Sequence, residues 1–170
     1  MQTDYFSRYQ GWKTRYLPGP GAIQFLQMIN KVITYLMYCL YPLTLAYLYW
    51  TQAPVKTLLL ATIIPGLGFF LLSGVRRKIN RPRPYQTYPI QPILNHSSSG
   101  KSFPSRHVFS ATVIAMTSYL IHPLVAAFAL LLAVILGLCR VFGGVHYPSD
   151  VVVALLCGLG LGIVLLICIQ

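Results

Sequence analysis

Five apolar segments, separated by short polar stretches, dominate this chain of 170 residues. Four are near the ~20 residues that a helix needs to cross the hydrocarbon core of a bilayer, and the third is shorter. An earlier start of the third segment, near Phe103, would put the sequence PSRH at the membrane surface. We expect the membrane spans at Lys31 to Trp50, Val55 to Gly74, His107 to Ile121, Leu124 to Phe142 and Asp150 to Ile169.

The composition supports a membrane protein. Hydrophobic residues make up 56% of the chain and charged residues only 9%, which excludes an ordinary soluble domain. The sequence has no internal repeat and no linker long enough to divide it. We therefore expect an all-α fold: a single membrane-embedded domain over residues 1–170, built as a helical bundle of about five transmembrane helices.

The first thirty residues, Met1 to Asn30, mix basic and aromatic side chains. Arg8, Lys13 and Arg15 occur among tyrosines and Trp12. This pattern is typical of an interfacial segment that lies on the bilayer surface. It lacks the early apolar core and the small-residue cleavage site of a signal peptide, so no cleavable signal is expected.

The basic charge of the chain points to phosphate or lipid headgroups. The formal net charge is +11 at pH 7, but Lys and Arg cluster at the ends of the apolar segments. Anionic headgroups or phosphate substrates are nearer partners there than nucleic acid, which we do not expect to bind. The cysteines lack the spacing of a zinc site or a disulfide framework and are expected to be small core residues. They are Cys39, Cys139, Cys157 and Cys168.

Three polar islands interrupt the apolar background. GVRRKINRPRPY ends the second span, GKSFPSRHVFS opens the third, and CRVFGGVHYPSD joins the fourth to the fifth. If each span crosses once, all three islands meet on one membrane face. Their guanidinium groups are planar forked donors that suit a phosphate dianion. The cations brought together are Arg76, Arg77, Lys78, Arg81, Arg83, Lys101, Arg106 and Arg140.

Some of these cations have a simpler interpretation. Arg77, Lys78 and Arg81 fit a positive flank that touches lipid headgroups equally well. That interpretation suits Arg140 less, because this residue directly follows LLLAVILGLC. An ionisable group there is costly unless it is paired or faces a polar cavity.

His146 is the candidate nucleophile. Asp150, one of two acidic residues in the chain, lies four residues after it. A carboxylate that accepts a hydrogen bond from one ring nitrogen fixes the tautomer and leaves the other lone pair free to attack phosphorus. Pro148 predicts the start of a helix, which places Asp150 in the first turn near the positive helix end.

His107 is the candidate proton donor and acceptor, because the leaving oxygen must be protonated and the attacking water deprotonated. It opens the third span, where backbone amides and the side chains of Ser105 and Arg106 can point to an anion. We expect His96 to lie in a polar loop and His122 to be interfacial. Two carboxylate side chains are too few for a magnesium or two-metal site, so we expect no metal and no other cofactor.

The three islands resemble the signature of the type 2 phosphatidic acid phosphatase superfamily, whose membrane and soluble phosphatases share their site with vanadium haloperoxidases. Each family motif is matched with one change. Lys, six residues, Arg-Pro is matched from Arg76 to Arg83-Pro84; Pro-Ser-Gly-His by Pro104-Ser105-Arg106-His107; and Ser-Arg, five residues, His, three residues, Asp by Cys139-Arg140, His146 and Asp150.

The resemblance implies roles for these residues. His146 would be the nucleophile, Asp150 its orienting partner and His107 the general acid and base. Lys78 competes with Arg76 for the place of the first-motif lysine, and Arg106 either binds phosphate or points to solvent. The implied phosphate ligands are Arg76, Arg83, Ser105 and Arg140.

We therefore expect an integral membrane lipid phosphatase that forms a phosphohistidine. The chain is similar to the short Gram-positive members of the family, which implies undecaprenyl pyrophosphate or phosphatidylglycerol phosphate as substrate. A non-catalytic carrier of lipid phosphate or anions is the alternative. It explains the arginines, but not a His and an Asp at nucleophile spacing beside a second His. The oligomeric state is open.

Two arguments about the membrane face of the site disagree. With five spans, twelve of the thirteen Lys and Arg lie on the face of the islands and only Lys56 lies opposite. Such a bias normally marks the cytoplasmic face. The resemblance implies the external face, where bacterial lipid phosphatases of the family usually work, and a basic site inflates the count. We expect the external face.

Overall fold

A computed structural model describes residues 2–94 and 99–170, so His96 lies outside the described residues. Within these ranges the chain forms helices, turns and loops and no β-strand. The helices are α1 (Gln2–Tyr16), α2 (Pro20–Trp50), α3 (Val55–Ile79), α4 (Pro84–Thr87), α5 (Arg106–Ser118), α6 (Pro123–Phe142) and α7 (Pro148–Ile169).

Four stretches of the described chain, which contain α2, α3, α6 and α7, are long and apolar enough to cross a membrane. Their outward faces carry large exposed apolar side chains such as Phe70, Leu124, Leu156 and Ile167. Hydrocarbon accommodates such faces, whereas water does not. The protein is therefore a multi-pass membrane protein with an all-α fold, as the sequence predicts.

Helix α5 lies at the centre of the bundle. It contacts α2, α3, α6 and α7, and eight of its 13 residues are buried. At about 20 Å in length, α5 is shorter than these four neighbouring helices. It starts at Arg106 and ends at Ser118, so the earlier start near Phe103 and the end at Ile121 are wrong. The remaining expected span is thus an enclosed helix, with buried hydroxyls bonded to carbonyls of its own backbone.

Helix α2 begins eleven residues before the expected span. Pro20 occupies its first turn after an extended Gly19, and Leu26 is buried in a cluster with Leu94 and Val145. Residues 20–30 therefore belong to the bundle and not to a surface segment. A helix of 31 residues is about 46 Å long, enough to cross both the hydrocarbon core and the headgroup layers.

The part of the N-terminal segment that stays separate is α1. Its aromatic side chains pack on the end of α6, with the rings of Trp12 and Tyr16 at 6.3 and 5.8 Å from that of Phe142. The Tyr9 hydroxyl, from a buried side chain, donates to the Phe142 carbonyl at 3.1 Å. Helix α1 therefore lies against the C-terminal end of α6.

The three polar islands meet at one end of the bundle. The Ser102 amide donates to the Arg81 carbonyl, and the Ser105 amide donates to the Asp150 carbonyl, both at 2.9 Å. These bonds join the second island to the first and third, so the predicted convergence is confirmed. His122 lies at the other end of α5 and accepts a hydrogen bond from the Leu124 amide as the N-cap of α6.

The prediction that all four cysteines are core residues is wrong for three of them. Cys139 is buried, whereas Cys39, Cys157 and Cys168 are exposed. These three lie on faces of the membrane helices that point away from the bundle. A small apolar side chain is as stable against lipid as against protein, so an apolar segment alone does not indicate which face is inside.

Candidate active site

His146 lies in the loop between α6 and α7, and the backbone of this loop holds it in place. The amides of Val145 and His146 both donate to the Arg140 carbonyl at 3.3 Å. Gly144 has a φ of +74°, and a Cβ atom there would come within 2.9 Å of the Tyr9 hydroxyl. The turn thus requires glycine, and it leaves the His146 side chain only 2% exposed.

One carboxylate oxygen of Asp150 collects three polar groups. Asp150 lies in the first turn of α7 after Pro148, as predicted, and its Oδ2 accepts from the Tyr147 amide at 3.0 Å. The Ser102 hydroxyl donates to the same oxygen, and His146 Nδ1 lies 3.4 Å from both that hydroxyl and Oδ2. The Nδ1 side of the ring therefore faces Ser102 and Asp150.

The other oxygen of Asp150 is paired with Arg81. Arg81 Nη1 donates to Oδ1 at 2.8 Å and to the Ser149 hydroxyl at 2.9 Å, while its guanidinium lies 4.1 Å from the centre of the Tyr147 ring. Arg81 is thus an ion-pair partner of the buried carboxylate. The alternative that it is only a headgroup-facing flank is wrong.

The imidazole of His146 is neutral at physiological pH. Burial lowers its pKa to about 4, against the opposing effect of the contact with Asp150; the neighbouring Arg83 lowers it further. Arg83 Nη1 lies 3.4 Å from His146 Nε2. A neutral ring with Nδ1 directed to Asp150 has its lone pair available at Nε2, on the side of the arginines.

A cavity of about 260 Å³, which we call the basic cavity, adjoins His146. Since one water takes about 30 Å³ in the liquid, a phosphate group and several waters fit inside. The lining contains five cationic side chains and no carboxylate. The residues are Ser73, Arg76, Arg77, Arg83, Lys101, Arg106, His107 and His146.

Backbone carbonyls hold the two buried arginines of this cavity. Arg76 donates to the carbonyls of Lys101 and Pro104. Arg83 donates to the carbonyls of Gly100 and Val145, at 3.1 and 3.0 Å. Neutral acceptors fix the direction of each guanidinium without cancelling its charge, so both remain available to an anion.

Three other residues in or beside the first two motifs, Lys78, Arg106 and Ser105, differ in their exposure and in whether they line the basic cavity. Lys78 is exposed and is absent from the lining of the basic cavity, whereas Arg76 is buried and lines it. Arg106 is exposed yet lines the basic cavity, with its guanidinium 5.4 Å from the centre of the Phe69 ring. Ser105 is buried, and within the described residues its hydroxyl has no hydrogen-bond partner.

Arg140 lines a second cavity of about 460 Å³, which we call the α2 cavity. Arg140 is 5% exposed, and its Nε has no hydrogen-bond partner in the described part of the chain. His107 lines both cavities. Among residues 2–94 and 99–170, no group of three or more His, Cys, Asp or Glu side chains is placed to hold a metal ion.

Sequence reasoning missed Ser102 as a site residue and the pairing of Arg81. The sequence does give a reason to expect a partner such as Arg81, because a carboxylate buried in a membrane protein requires a compensating cation. Ser102 has no such signal. Its partner Asp150 is 48 residues away, and one serine among polar residues forms no pattern.

Comparisons with known proteins agree with this architecture. The PAP2 superfamily model matches residues 54–170. The bacitracin transport permease protein BcrC of Bacillus licheniformis is 30% identical over 139 residues, which cover 77% of this chain and 67% of that protein. A lipid A 1-phosphatase of Rhizobium johnstonii is 33% identical over 93 residues, 52% of this chain but only 38% of the relative.

Two solved structures share the arrangement of helices. The first transmembrane PAP2-type phosphatidylglycerolphosphate phosphatase from Bacillus subtilis superposes with a TM-score of 0.75 over 97% of this chain and 85% of that one, at 22% identity. Aquifex aeolicus LpxE gives a TM-score of 0.62 at 29% identity, with 87% of each chain covered. The chain therefore belongs to the PAP2 superfamily, as an integral-membrane phosphatase.

Proposed function

We propose that the protein hydrolyses the terminal phosphate of a membrane lipid mono- or diphosphate through a phosphohistidine intermediate and without a metal ion. One observation carries the proposal: a buried, neutral His146 lies at the wall of the basic cavity, with Asp150 behind it and His107 on the same lining. A carrier needs the cations of such a cavity, but it does not need a neutral nucleophile.

In the first half-reaction, His146 Nε2 attacks phosphorus and the bond from phosphorus to the leaving oxygen breaks. Asp150 accepts a hydrogen bond from the Nδ1–H group, which keeps its proton, and stabilises the positive charge that develops on the ring. Arg76, Arg83 and Arg106 offset the charge on the phosphoryl oxygens. His107 gives the leaving oxygen its proton.

In the second half-reaction, His107 takes a proton from water, and the water attacks the phosphohistidine. The nitrogen–phosphorus bond breaks, inorganic phosphate leaves, and His146 returns to its neutral form. The Ser105 hydroxyl, which has no hydrogen-bond partner among the described residues, and the guanidinium of Arg140 are further donors for phosphate oxygens. Fixed cations thus take the part that metal ions play in other phosphoryl transfers.

The surroundings of the site support a lipid substrate. Two further cavities of about 190 and 270 Å³ extend from the site along α2, α3 and α5, and both include Tyr38, Phe69 and Ile114. The names of the relatives and neighbours include a lipid A 1-phosphatase and a phosphatidylglycerolphosphate phosphatase. Undecaprenyl pyrophosphate and phosphatidylglycerol phosphate are the two candidate substrates, and we place the site at the external membrane face.

An assay of the purified protein in detergent tests the proposal. With EDTA present, it should release inorganic phosphate from phosphatidylglycerol phosphate or undecaprenyl pyrophosphate. His146→Ala should abolish both turnover and an acid-labile phosphoenzyme, whereas His107→Ala should still be phosphorylated slowly by a substrate with a good leaving group. Near-normal turnover in His146→Ala would contradict the mechanism, and no release from any lipid phosphate would favour the carrier.

A further inference from the structure

Helix α2 turns a polar stripe toward the active site. Leu94, His107 and Arg140 complete the lining of the α2 cavity, which is open, since Lys31 and Tyr35 in its wall are exposed. Positions three and four apart share one face of a helix, and a polar face inside a membrane bundle indicates a cavity with polar contents. The stripe consists of Gln27, Asn30, Lys31, Thr34, Tyr35 and Tyr38.

Several polar groups of this cavity are not engaged by the protein itself. Lys31 is exposed and presents its ammonium-bearing side chain to the lining of this cavity. Asn30 Oδ1 and Arg140 Nε are both buried and have no hydrogen-bond partner within the described residues. Buried polar groups are nearly always satisfied in folded proteins, so unsatisfied groups around one cavity indicate a polar ligand or water.

The α2 cavity adjoins His107, the proposed proton donor for the leaving group. His107 lines both cavities, whereas His146 lines only the basic cavity. In an in-line displacement the nucleophile and the leaving oxygen are on opposite sides of phosphorus, and the proton donor stands beside the leaving oxygen. His107 also lines the smaller cavity of about 190 Å³ beside Phe69. The α2 cavity is the one that offers Lys31 and Asn30 to a charged leaving group.

We infer that the α2 cavity is a leaving-group subsite in which Lys31, with Asn30, selects lipid diphosphates over lipid monophosphates. This inference rests on the proposed function. When the terminal phosphorus bonds to His146, the bond to the bridging oxygen breaks, and the lipid monophosphate leaves with a proton from His107. The phosphate retained by the lipid then faces Lys31. Tyr38 also lines the apolar cavities, so the hydrocarbon tail continues past it.

The test compares two probes with the same tail, farnesyl diphosphate and farnesyl monophosphate, in the same detergent. The measured quantity is the ratio of kcat/KM for the diphosphate to that for the monophosphate. Lys31→Gln should lower this ratio about tenfold, because a charge-assisted contact to the retained phosphate is lost. Asn30→Ala should lower it less, since it removes a neutral group. Lys56→Gln, a charge removed at the opposite end of the bundle, should leave the ratio unchanged.

Each outcome decides for or against the inference. Thermal unfolding of each purified variant shows that it is folded. An unchanged ratio in folded Lys31→Gln, or a wild type that hydrolyses only the monophosphate, would overturn the subsite while the proposed function stands. Release of phosphate from neither probe, nor from the two candidate lipids, would overturn the proposed function and the subsite together.

Discussion

Ser102 connects the buried carboxylate to the candidate nucleophile, because its hydroxyl contacts both Asp150 Oδ2 and His146 Nδ1. We expect Ser102→Ala to lower kcat about tenfold with little change in KM, as a bond to a charged group is worth about 1.5–3 kcal/mol. Ser102→Thr, which keeps the hydroxyl, should restore part of the rate. Ser118→Ala removes a buried hydroxyl at the far end of α5 and serves as the control. Wild-type kcat in Ser102→Ala would contradict a positioning role.

The titration of His146 is a second prediction at the level of single residues. Burial lowers the pKa of the ring from its usual 6.5 to about 4, so the attacking lone pair is present above pH 4 and is lost as the pH falls through that value. Nitrogen-15 histidine NMR in detergent micelles should show one ring that stays neutral down to about pH 5. The signal that disappears in His146→Gln assigns it. A midpoint at 6.5 or above would show that the ring is not desolvated.

The residues of the candidate site differ in how far sequence could predict them. The spacing of His146 and Asp150, with Pro148 between them, indicates a helix start that brings the two side chains together, and the structure has this geometry. Ser102 and Arg81 reach Asp150 across 48 and 69 residues of sequence. Contacts of that range depend on the packing of the bundle. The catalytic roles stay predictions until variants are assayed.

Helices α5 and α7 approach closely at two glycines spaced four apart. A Cβ on Gly158 would lie 2.7 Å from Thr112 Cβ, and one on Gly162 would lie 2.3 Å from Met116 Cβ. Gly160, on the other face of α7, has nothing within 4 Å. Small residues at this spacing let membrane helices pack backbone to backbone. The contact fixes α5, and therefore His107, against the helix that carries Asp150.

This contact predicts a difference between equivalent substitutions. Gly158→Ala and Gly162→Ala should each lower stability by about 1–3 kcal/mol, since an added carbon forces packed neighbours apart. Gly160→Ala should be neutral or slightly stabilising, because alanine favours a helix by up to about 1 kcal/mol over glycine. Thermal unfolding in one detergent measures all three. Equal Tm values for the three variants would argue against close packing of α5 on α7.

Hydropathy predicted the helices that face lipid and failed where a helix faces a cavity or the bundle centre. The first turns of α2 contain Gln27 and Asn30, so this polar sequence looked like a surface segment, although both residues line the α2 cavity. Helix α5 is enclosed by four neighbours and needs neither full length nor full hydrophobicity. Side-chain polarity reports the local surroundings, and these are set by partners distant in sequence.

The whole molecule has its basic residues at one end, and the structure shows why charge alone is a poor guide to orientation. Arg76, Arg83 and Arg140 are buried, and Arg81 pairs with Asp150. Lys31, Arg77, Lys101 and Arg106 line the two polar cavities. Most of these cations are therefore accounted for by the site itself. The basic residues that remain as a possible signal for membrane orientation are Arg8, Lys13, Arg15 and Lys78 at this end and Lys56 at the other end.

The last prediction is the membrane face of the site, for which we propose the external side. Helix α7 begins beside His146 and ends at Ile169, so an external site puts Gln170 in the cytoplasm. A green fluorescent protein fused after Gln170 should fluoresce. Alkaline phosphatase fused at the same point should stay inactive, because its disulfides form only outside the cytoplasm. The same two reporters inserted at the turn between α2 and α3, beside Lys56, should behave alike, since that turn lies at the end of the bundle opposite the site. Active alkaline phosphatase at both points would place the site in the cytoplasm and restore the charge bias as the dominant signal.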